Sequence, residues 1–211
     1  MSKVRFRYSK TGKAKYISHL DLMATMQRGF LRGGVNLKYS EGFNPHPYLS
    51  VALPLSVGYE SLCELIDVGI ADETIPDLRS IVLPEGIELT EVYNAARKFS
   101  EIAWVKISAK LHYDRGLKDD DVEKIRQCFM KESIFITKRT KRGFKELDIA
   151  PYIKDVDPDY DGSVLLRAKI SAQNPALNIS DLESALDDEL KPDYSDMKRI
   201  DIYDSNMVSF N

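Results

Sequence analysis

One order of predicted elements, strand–helix–strand–strand–helix–strand, occurs twice along the 211 residues of this chain. Strands are predicted by the alternation of apolar and polar residues, as in Val4-Arg5-Phe6-Arg7-Tyr8. Two of the helices are predicted by capping boxes followed by apolar residues at helical spacing, at Ser18 with Asp21 and at Ser180 with Glu183. No sequence identity between the halves contributes, so the order of elements carries the prediction.

This order is the split β-α-β arrangement of a ferredoxin-like unit. We therefore predict an α+β fold made of two tandem ferredoxin-like units, each an antiparallel sheet with helices on one face. The first unit is predicted to span residues 1–98 and the second residues 99–211. The first carries a basic face, and the second carries a basic hairpin over Lys138 to Lys145.

Apolar spacing also predicts which residues the helices bury. A short helix is predicted over Thr74 to Val82, with Pro76 in its first turn. The helix that follows Ser180 is predicted to turn its leucines inward. The stripe predicted to face the core from the first helix is Leu20, Met23, Ala24, Phe30 and Leu31.

The composition argues against several classes of protein. Hydrophobic residues at 43% and charged residues at 30% are typical of a soluble globular protein. No apolar run approaches the roughly 18 residues that cross a bilayer, and the first residues begin a strand pattern rather than a signal peptide. Cys63 and Cys128 lie far apart in apolar patterns, which favours buried, reduced thiols. We expect a cytoplasmic protein that does not contact a membrane.

Positive charge is concentrated near the N-terminus. Residues 1–50 carry nine lysines and arginines against Asp21 and Glu41, a charge of +7, so the remainder carries −10 of the net −3. Cations interleaved with aromatic rings are the means by which proteins commonly hold single-stranded RNA. The predicted RNA-binding residues are Arg5, Arg7, Lys10, Lys13, Lys15, Tyr16, Arg28, Arg32, Tyr39, Phe43, Asn44 and His46.

Two histidines beside the first helix are candidates for acid–base chemistry. His19 follows the helix cap, and His46 stands between two prolines in the Gly-Phe-Asn-Pro-His-Pro loop. Imidazole titrates near neutral pH, so either side chain could move a proton. A structural role is the alternative for both, as an exposed residue of the first turn and as part of a rigid loop.

No metal or cofactor site is predicted in this chain. His19, His46 and His112 lack a nearby cysteine or histidine partner, and no Cys-x-x-Cys pair is present. The Gly12-Lys13 pair lacks the rest of a P-loop motif. We therefore expect the chain to hold no metal and no cofactor of its own.

Two long motifs resemble a known bacterial family. They are Tyr-Ile-Ser-His-Leu-Asp at 16–21 and Tyr-Ser-Glu-Gly-Phe-Asn-Pro-His-Pro at 39–47, with looser likeness at 52–58 and 145–153. The chain resembles the radical-SAM-linked proteins, a domain of unknown function found alone or fused to a radical SAM protein. The resemblance implies a partner of that type, with a cobalamin-binding region. This chain lacks the Cys-x-x-x-Cys-x-x-Cys motif that holds the enzyme's cluster.

Three functional hypotheses follow. The first is a non-catalytic accessory protein of a radical SAM enzyme that binds RNA for modification. The second is an RNA-processing enzyme that uses His19 or His46. The third is a protein-interaction module, because a docking surface for an acidic partner explains the same charges and the pI near 5.7 is low for a nucleic-acid-binding protein.

Overall fold

The computed structural model describes residues 3–71, 75–116, 120–140, 143–160 and 162–210. The chain divides into two compact units, Met1–Glu101 and Ile102–Asn211. No helix in these described ranges is long and apolar enough to cross a membrane.

The first unit is a four-stranded sheet with one long helix. Its strands follow the order β4-β1-β3-β2, and each neighbouring pair is antiparallel. Short 3-10 helices lie at Gly12–Tyr16, Leu78–Ser80 and Phe99–Glu101. The main elements are β1 (Lys3–Lys10), α1 (His19–Arg32), β2 (Leu49–Val51), β3 (Glu60–Gly69) and β4 (Ile87–Asn94).

The second unit contains a four-stranded sheet and a separate hairpin. Its sheet follows the order β10-β5-β9-β8 with antiparallel neighbours, while β6 pairs with β7 alone. The elements are β5 (Ile102–His112), α2 (Asp121–Phe129), β6 (Phe135–Thr140), β7 (Gly143–Asp148), β8 (Ile153–Tyr160), β9 (Val164–Ser171), α3 (Ile179–Glu183) and β10 (Tyr194–Asp204).

The predicted α+β class is confirmed, with mostly antiparallel strands and few helices. The helix predicted over Thr74 to Val82 is wrong for its described part, which holds only the 3-10 turn Leu78–Ser80; Thr74 lies outside the described residues. Asp77 accepts a hydrogen bond from the Arg79 N–H at 3.0 Å, which satisfies a short turn rather than starting a longer helix.

Of the two predicted helix caps, the one at Ser18 is confirmed and the one at Ser180 is not. The Ser18 hydroxyl accepts the Asp21 N–H at 3.1 Å, so α1 begins where the capping box places it. The cap predicted at Ser180 is wrong by two residues. Asn178 caps α3, since its side chain accepts the Asp181 N–H while the Asp181 carboxylate accepts the Asn178 N–H.

The predicted apolar stripe of α1 is partly wrong. The helix buries Leu22, Met26 and Phe30, and the Phe30 ring packs 4.7 Å from the ring of Phe6 in β1. Leu20 is instead 80% exposed. Residues two positions apart point about 200° apart on a helix, so a helix that turns Leu22 to the sheet must turn Leu20 away from it.

Candidate functional site

Three basic residues of β1, Arg5, Arg7 and Lys10, are withdrawn from solvent, whereas Lys3 at its start is exposed. Arg5 is fully buried, and its Nε and Nη2 donate to the two Asp67 carboxylate oxygens at 2.7 and 3.0 Å. Nη2 also donates to the Arg97 carbonyl at 2.7 Å, and the guanidinium lies 4.4 Å from the centre of the Phe99 ring. The expectation that alternation would leave Arg5 in solvent is therefore wrong, because residues 97–99 cover that face of the strand.

The other two predicted RNA-binding cations of β1 are also withdrawn from solvent. Lys10 is buried, and Arg7 is half-buried with its Nε 3.9 Å from a carboxylate oxygen of Glu91. Beside Arg5, Tyr93 of β4 is half-buried, and burial raises the pKa of its hydroxyl against the lowering effect of Arg5 and Arg7. Strand β1 thus contributes to the interior of the unit rather than to a basic surface.

Helix α1 separates the remaining predicted residues into two groups. Lys13, Lys15, Tyr16 and His19 lie at its start, and Arg28 and Arg32 lie in its last two turns. His19 and Arg28 are about 14 Å apart along the axis at roughly 1.5 Å per residue. These predicted residues therefore lie near the two opposite ends of α1.

The chain that leaves the end of α1 forms a braced loop. The Lys38 N–H donates to the Gly69 carbonyl at 2.9 Å, which ties the base of the loop to the end of β3. Above this tie, Ser40 N–H donates to the His46 carbonyl at 2.8 Å, and His46 N–H donates to the Ser40 hydroxyl at 2.9 Å. An isolated β-bridge joins Tyr39 to Pro47. These contacts fix the two ends of the turn between residues 40 and 46.

The tip of this loop presents an uncovered aromatic ring. Phe43 is fully exposed, and Asn44 and His46 are exposed beside it. These three side chains form no hydrogen bond, ion pair or ring contact with any residue that the structure describes. Tyr39 and Tyr48 are both partly exposed at the base. We call Tyr39, Phe43, Asn44, His46 and Tyr48 the loop surface.

The two candidate catalytic histidines lie in different places. His19 occupies the first turn of α1, and His46 belongs to the loop surface. Both are exposed, and neither imidazole is hydrogen-bonded to a carboxylate or hydroxyl among the described residues. The geometry therefore offers no oriented acid–base pair at either histidine.

The basic hairpin of the second unit is only partly described. Lys141 and Arg142 and the side chain of Arg139 lie outside the described residues. The Lys138 ammonium donates to the Ala176 carbonyl at 2.7 Å and to the Asp181 carboxylate at 2.9 Å, so it serves an internal contact. Lys145 and Phe144 are exposed on the opposite strand.

The second unit has a cavity that sequence reasoning did not predict. It measures about 830 Å³ and lies between α2 and residues 187–190. Its charges pair locally, as in the 3.0 Å contact of Arg115 with Asp121. At its edge Tyr113 donates to the Leu190 carbonyl at 2.9 Å, and burial raises the pKa of that tyrosine to about 12. No local sequence pattern signals this cavity, because the two segments that line it are almost 60 residues apart.

Metal-ligating side chains are dispersed through the described part of the chain. No group of three or more histidine, cysteine, aspartate or glutamate residues there could hold a metal ion. Cys63 and Cys128 are both buried free thiols, as predicted.

Comparison with known protein families identifies a bacterial family. A comparison with curated proteins finds none that matches this chain. Residues 3–180 match a family described as an uncharacterized protein conserved in bacteria, DUF2344. This match covers the first unit from Lys3 onward and most of the second unit, and the chain therefore belongs to the DUF2344 family of bacterial proteins.

Proposed function

We propose that this protein is a non-catalytic accessory protein of a radical SAM enzyme in the bacterial cytoplasm, and that it binds single-stranded RNA for modification. The loop surface is the proposed RNA site. The likeness of the motifs at 16–21 and 39–47 to radical-SAM-linked proteins supports the enzyme partner. A radical SAM protein with a cobalamin-binding region is the proposed partner.

The exposed ring of Phe43 carries the RNA part of the proposal. Phe43 is fully exposed at the tip of a braced turn, and Tyr39 and Tyr48 are partly exposed at its base, so several exposed aromatic rings share one small region, which favours an interaction site. Stacking of a base on an aromatic ring contributes about 1–3 kcal/mol. Because the turn is already fixed at Ser40 and His46, binding would lose little loop entropy.

The polar groups of the loop suit an unpaired base. The Asn44 amide can donate and accept hydrogen bonds at once, and His46 offers an imidazole beside it. Unstacked bases expose both donors and acceptors on their edges, which such side chains read. A phenylalanine with neighbouring asparagine and histidine therefore favours a nucleobase over a purely apolar ligand.

Phosphate contacts would be few. Twelve lysines and arginines in residues 1–101 are balanced by twelve aspartates and glutamates. Arg28 and Arg32 at the end of α1, with Lys38 at the base of the loop, are the exposed cations whose positions in the chain lie closest to the loop surface. We therefore expect binding that depends mainly on stacking and only weakly on salt.

We also propose that both units are ferredoxin-like. The orders β4-β1-β3-β2 and β10-β5-β9-β8 support this topology, since in each unit the first strand lies between the last and the third. In the second unit the β6-β7 hairpin is then an insertion before the second strand of the fold.

Fluorescence anisotropy with a labelled single-stranded RNA of roughly 12 nucleotides tests the RNA proposal. Phe43→Ala should weaken binding by about five- to 150-fold, the equivalent of losing one stacked base. Phe43→Tyr keeps the ring and serves as the matched control. Equal binding by Phe43→Ala and the native protein would contradict the proposal. Cleavage of the RNA in metal-free buffer, lost in His19→Ala or His46→Ala, would favour the enzyme alternative instead.

Association with the enzyme partner needs a separate measurement. Size-exclusion chromatography of this chain with a radical SAM protein that carries a cobalamin-binding region should show one joint peak. Separate elution of the two proteins at micromolar concentration, with and without RNA, would remove that part of the proposal.

A further inference from the structure

A second exposed cluster lies at the start of α1, and RNA binding at the loop surface does not account for it. Tyr16, Leu20 and Val57 are 65%, 80% and 57% exposed. We call these three side chains the helix-start patch. One exposed apolar residue is ordinary on a soluble protein, but several gathered in one small region mark an interaction site.

Backbone hydrogen bonds hold the segments that carry the helix-start patch close together. The Gly58 N–H donates to the Lys15 carbonyl at 2.8 Å, which holds Val57 beside the 3-10 helix that ends at Tyr16. The Ile17 N–H donates back into that 3-10 helix, to the Ala14 carbonyl at 3.1 Å. Leu20 then follows within the first capped turn of α1.

One cation beside the patch, Lys13, is available to a partner. Lys13 is exposed and has no hydrogen bond or ion pair with any residue in the described part of the chain. The Lys15 ammonium lies 5.3 Å from the centre of the Tyr16 ring, so positive charge stands directly at the apolar surface. This edge of the patch is complementary to carboxylates.

The nearby acidic side chains already have partners. The Asp21 carboxylate accepts the Ser18 hydroxyl at 2.7 Å, and a Glu60 carboxylate oxygen accepts the Gly12 N–H at 2.8 Å. Both carboxylates are thereby committed to holding the backbone around the patch. Neither carboxylate forms an ion pair with Lys13.

We propose that the helix-start patch docks a protein segment that presents an apolar side chain flanked by carboxylates. The aliphatic groups of Leu20 and Val57 provide neither a stacking plane nor a hydrogen bond, so they suit the apolar core of a protein interface rather than a nucleobase. Three side chains cover less than the roughly 800 Å² per partner of a standard interface, so the occupant is a short segment. This docking is independent of the RNA site, which lies beyond the other end of α1.

Selection from a random peptide library on the immobilised full-length protein tests this proposal without assuming a sequence. Leu20→Asp is the counter-target, because Leu20 is exposed and an acidic residue is well tolerated in the first turn of a helix. Enriched peptides should combine an apolar residue with aspartate or glutamate. Their affinity should fall by about tenfold or more in Leu20→Asp, the loss typical of an interface anchor.

Two further variants sharpen the test. Lys13→Glu with Lys15→Glu should weaken the acidic peptides, whereas Phe43→Ala should leave them unaffected. Circular dichroism checks that each variant is folded. The proposal is overturned if no peptide is enriched over Leu20→Asp, or if enriched peptides lack carboxylates. It is equally overturned if sedimentation shows that the native protein covers this patch by self-association that Leu20→Asp abolishes.

Discussion

Strand β1 and the loop surface both contain predicted RNA-binding residues, but their surroundings are opposite. Strand β1 buries Arg5 and Tyr8, whereas the loop leaves Phe43 fully exposed. Strand β1 pairs with β3 on one side and β4 on the other, so its residues lie deep within the sheet. The loop contains Gly42, Pro45 and Pro47, which do not continue a strand ladder. Position in the sheet therefore decides whether such residues are buried within the fold or exposed to solvent.

The largest effect is expected from Arg5. Arg5→Ala leaves the Asp67 carboxylate buried without its guanidinium, which should reduce the free energy of unfolding by about 3–5 kcal/mol. Arg28→Ala is the matched control on an exposed arginine and should change it by less than about 0.5 kcal/mol. Urea unfolding followed by circular dichroism measures both. Equal stability of the two variants would mean that Arg5 is not buried as described.

A second pair of substitutions compares the two faces of α1. Phe30→Ala removes a buried ring packed on Phe6 and should reduce the free energy of unfolding by about 3–5 kcal/mol. Leu20→Ala should change it by less than about 0.5 kcal/mol, because that side chain is exposed. Urea unfolding followed by circular dichroism measures the stability of both variants. If Leu20→Ala reduced the free energy of unfolding as much as Phe30→Ala, Leu20 would belong to the buried stripe of α1, as the sequence predicts.

Two double variants separate charge from hydrogen bonding at the proposed RNA site. Arg28→Ala with Arg32→Ala should weaken every RNA and lower the slope of log affinity against log salt by about 1.4, from two lost phosphate contacts. Asn44→Ala with His46→Ala should reduce preference between two RNAs more than affinity. Anisotropy titrations at two salt concentrations measure both. Unchanged binding in both variants places the RNA elsewhere.

The smallest effect is expected in the hairpin of the second unit. Lys138→Ala removes the ion pair to the largely buried Asp181 and should lower the free energy of unfolding by about 1 kcal/mol. RNA affinity should stay unchanged, because this ammonium already serves an internal contact. A variant with native stability but weaker RNA binding would instead place Lys138 at an RNA contact.

Local signals were predictable from the sequence, and long-range pairings were not. The Ser18 cap depends on a residue three positions away, so it can be predicted from local sequence. The partner of Arg5 is Asp67, 62 residues further along the chain, and no local pattern pairs them. The predicted burial of Leu20 was wrong for a related reason, because the sheet rather than the helix decides which stripe of α1 is buried. The exposed loop was predictable because glycine and proline locally disfavour a sheet.

Ultraviolet crosslinking of the full-length protein to single-stranded RNA, with mass spectrometry of the modified peptides, tests the RNA site most directly. The crosslinked nucleotide should map to residues 39–48, at Phe43 or a neighbouring tyrosine, and Phe43→Ala should reduce its yield. Reduction with Phe43→Ala but not with Leu20→Asp would support the RNA site and its independence from the helix-start patch. Crosslinks confined to the second unit, or none above background, would contradict the account.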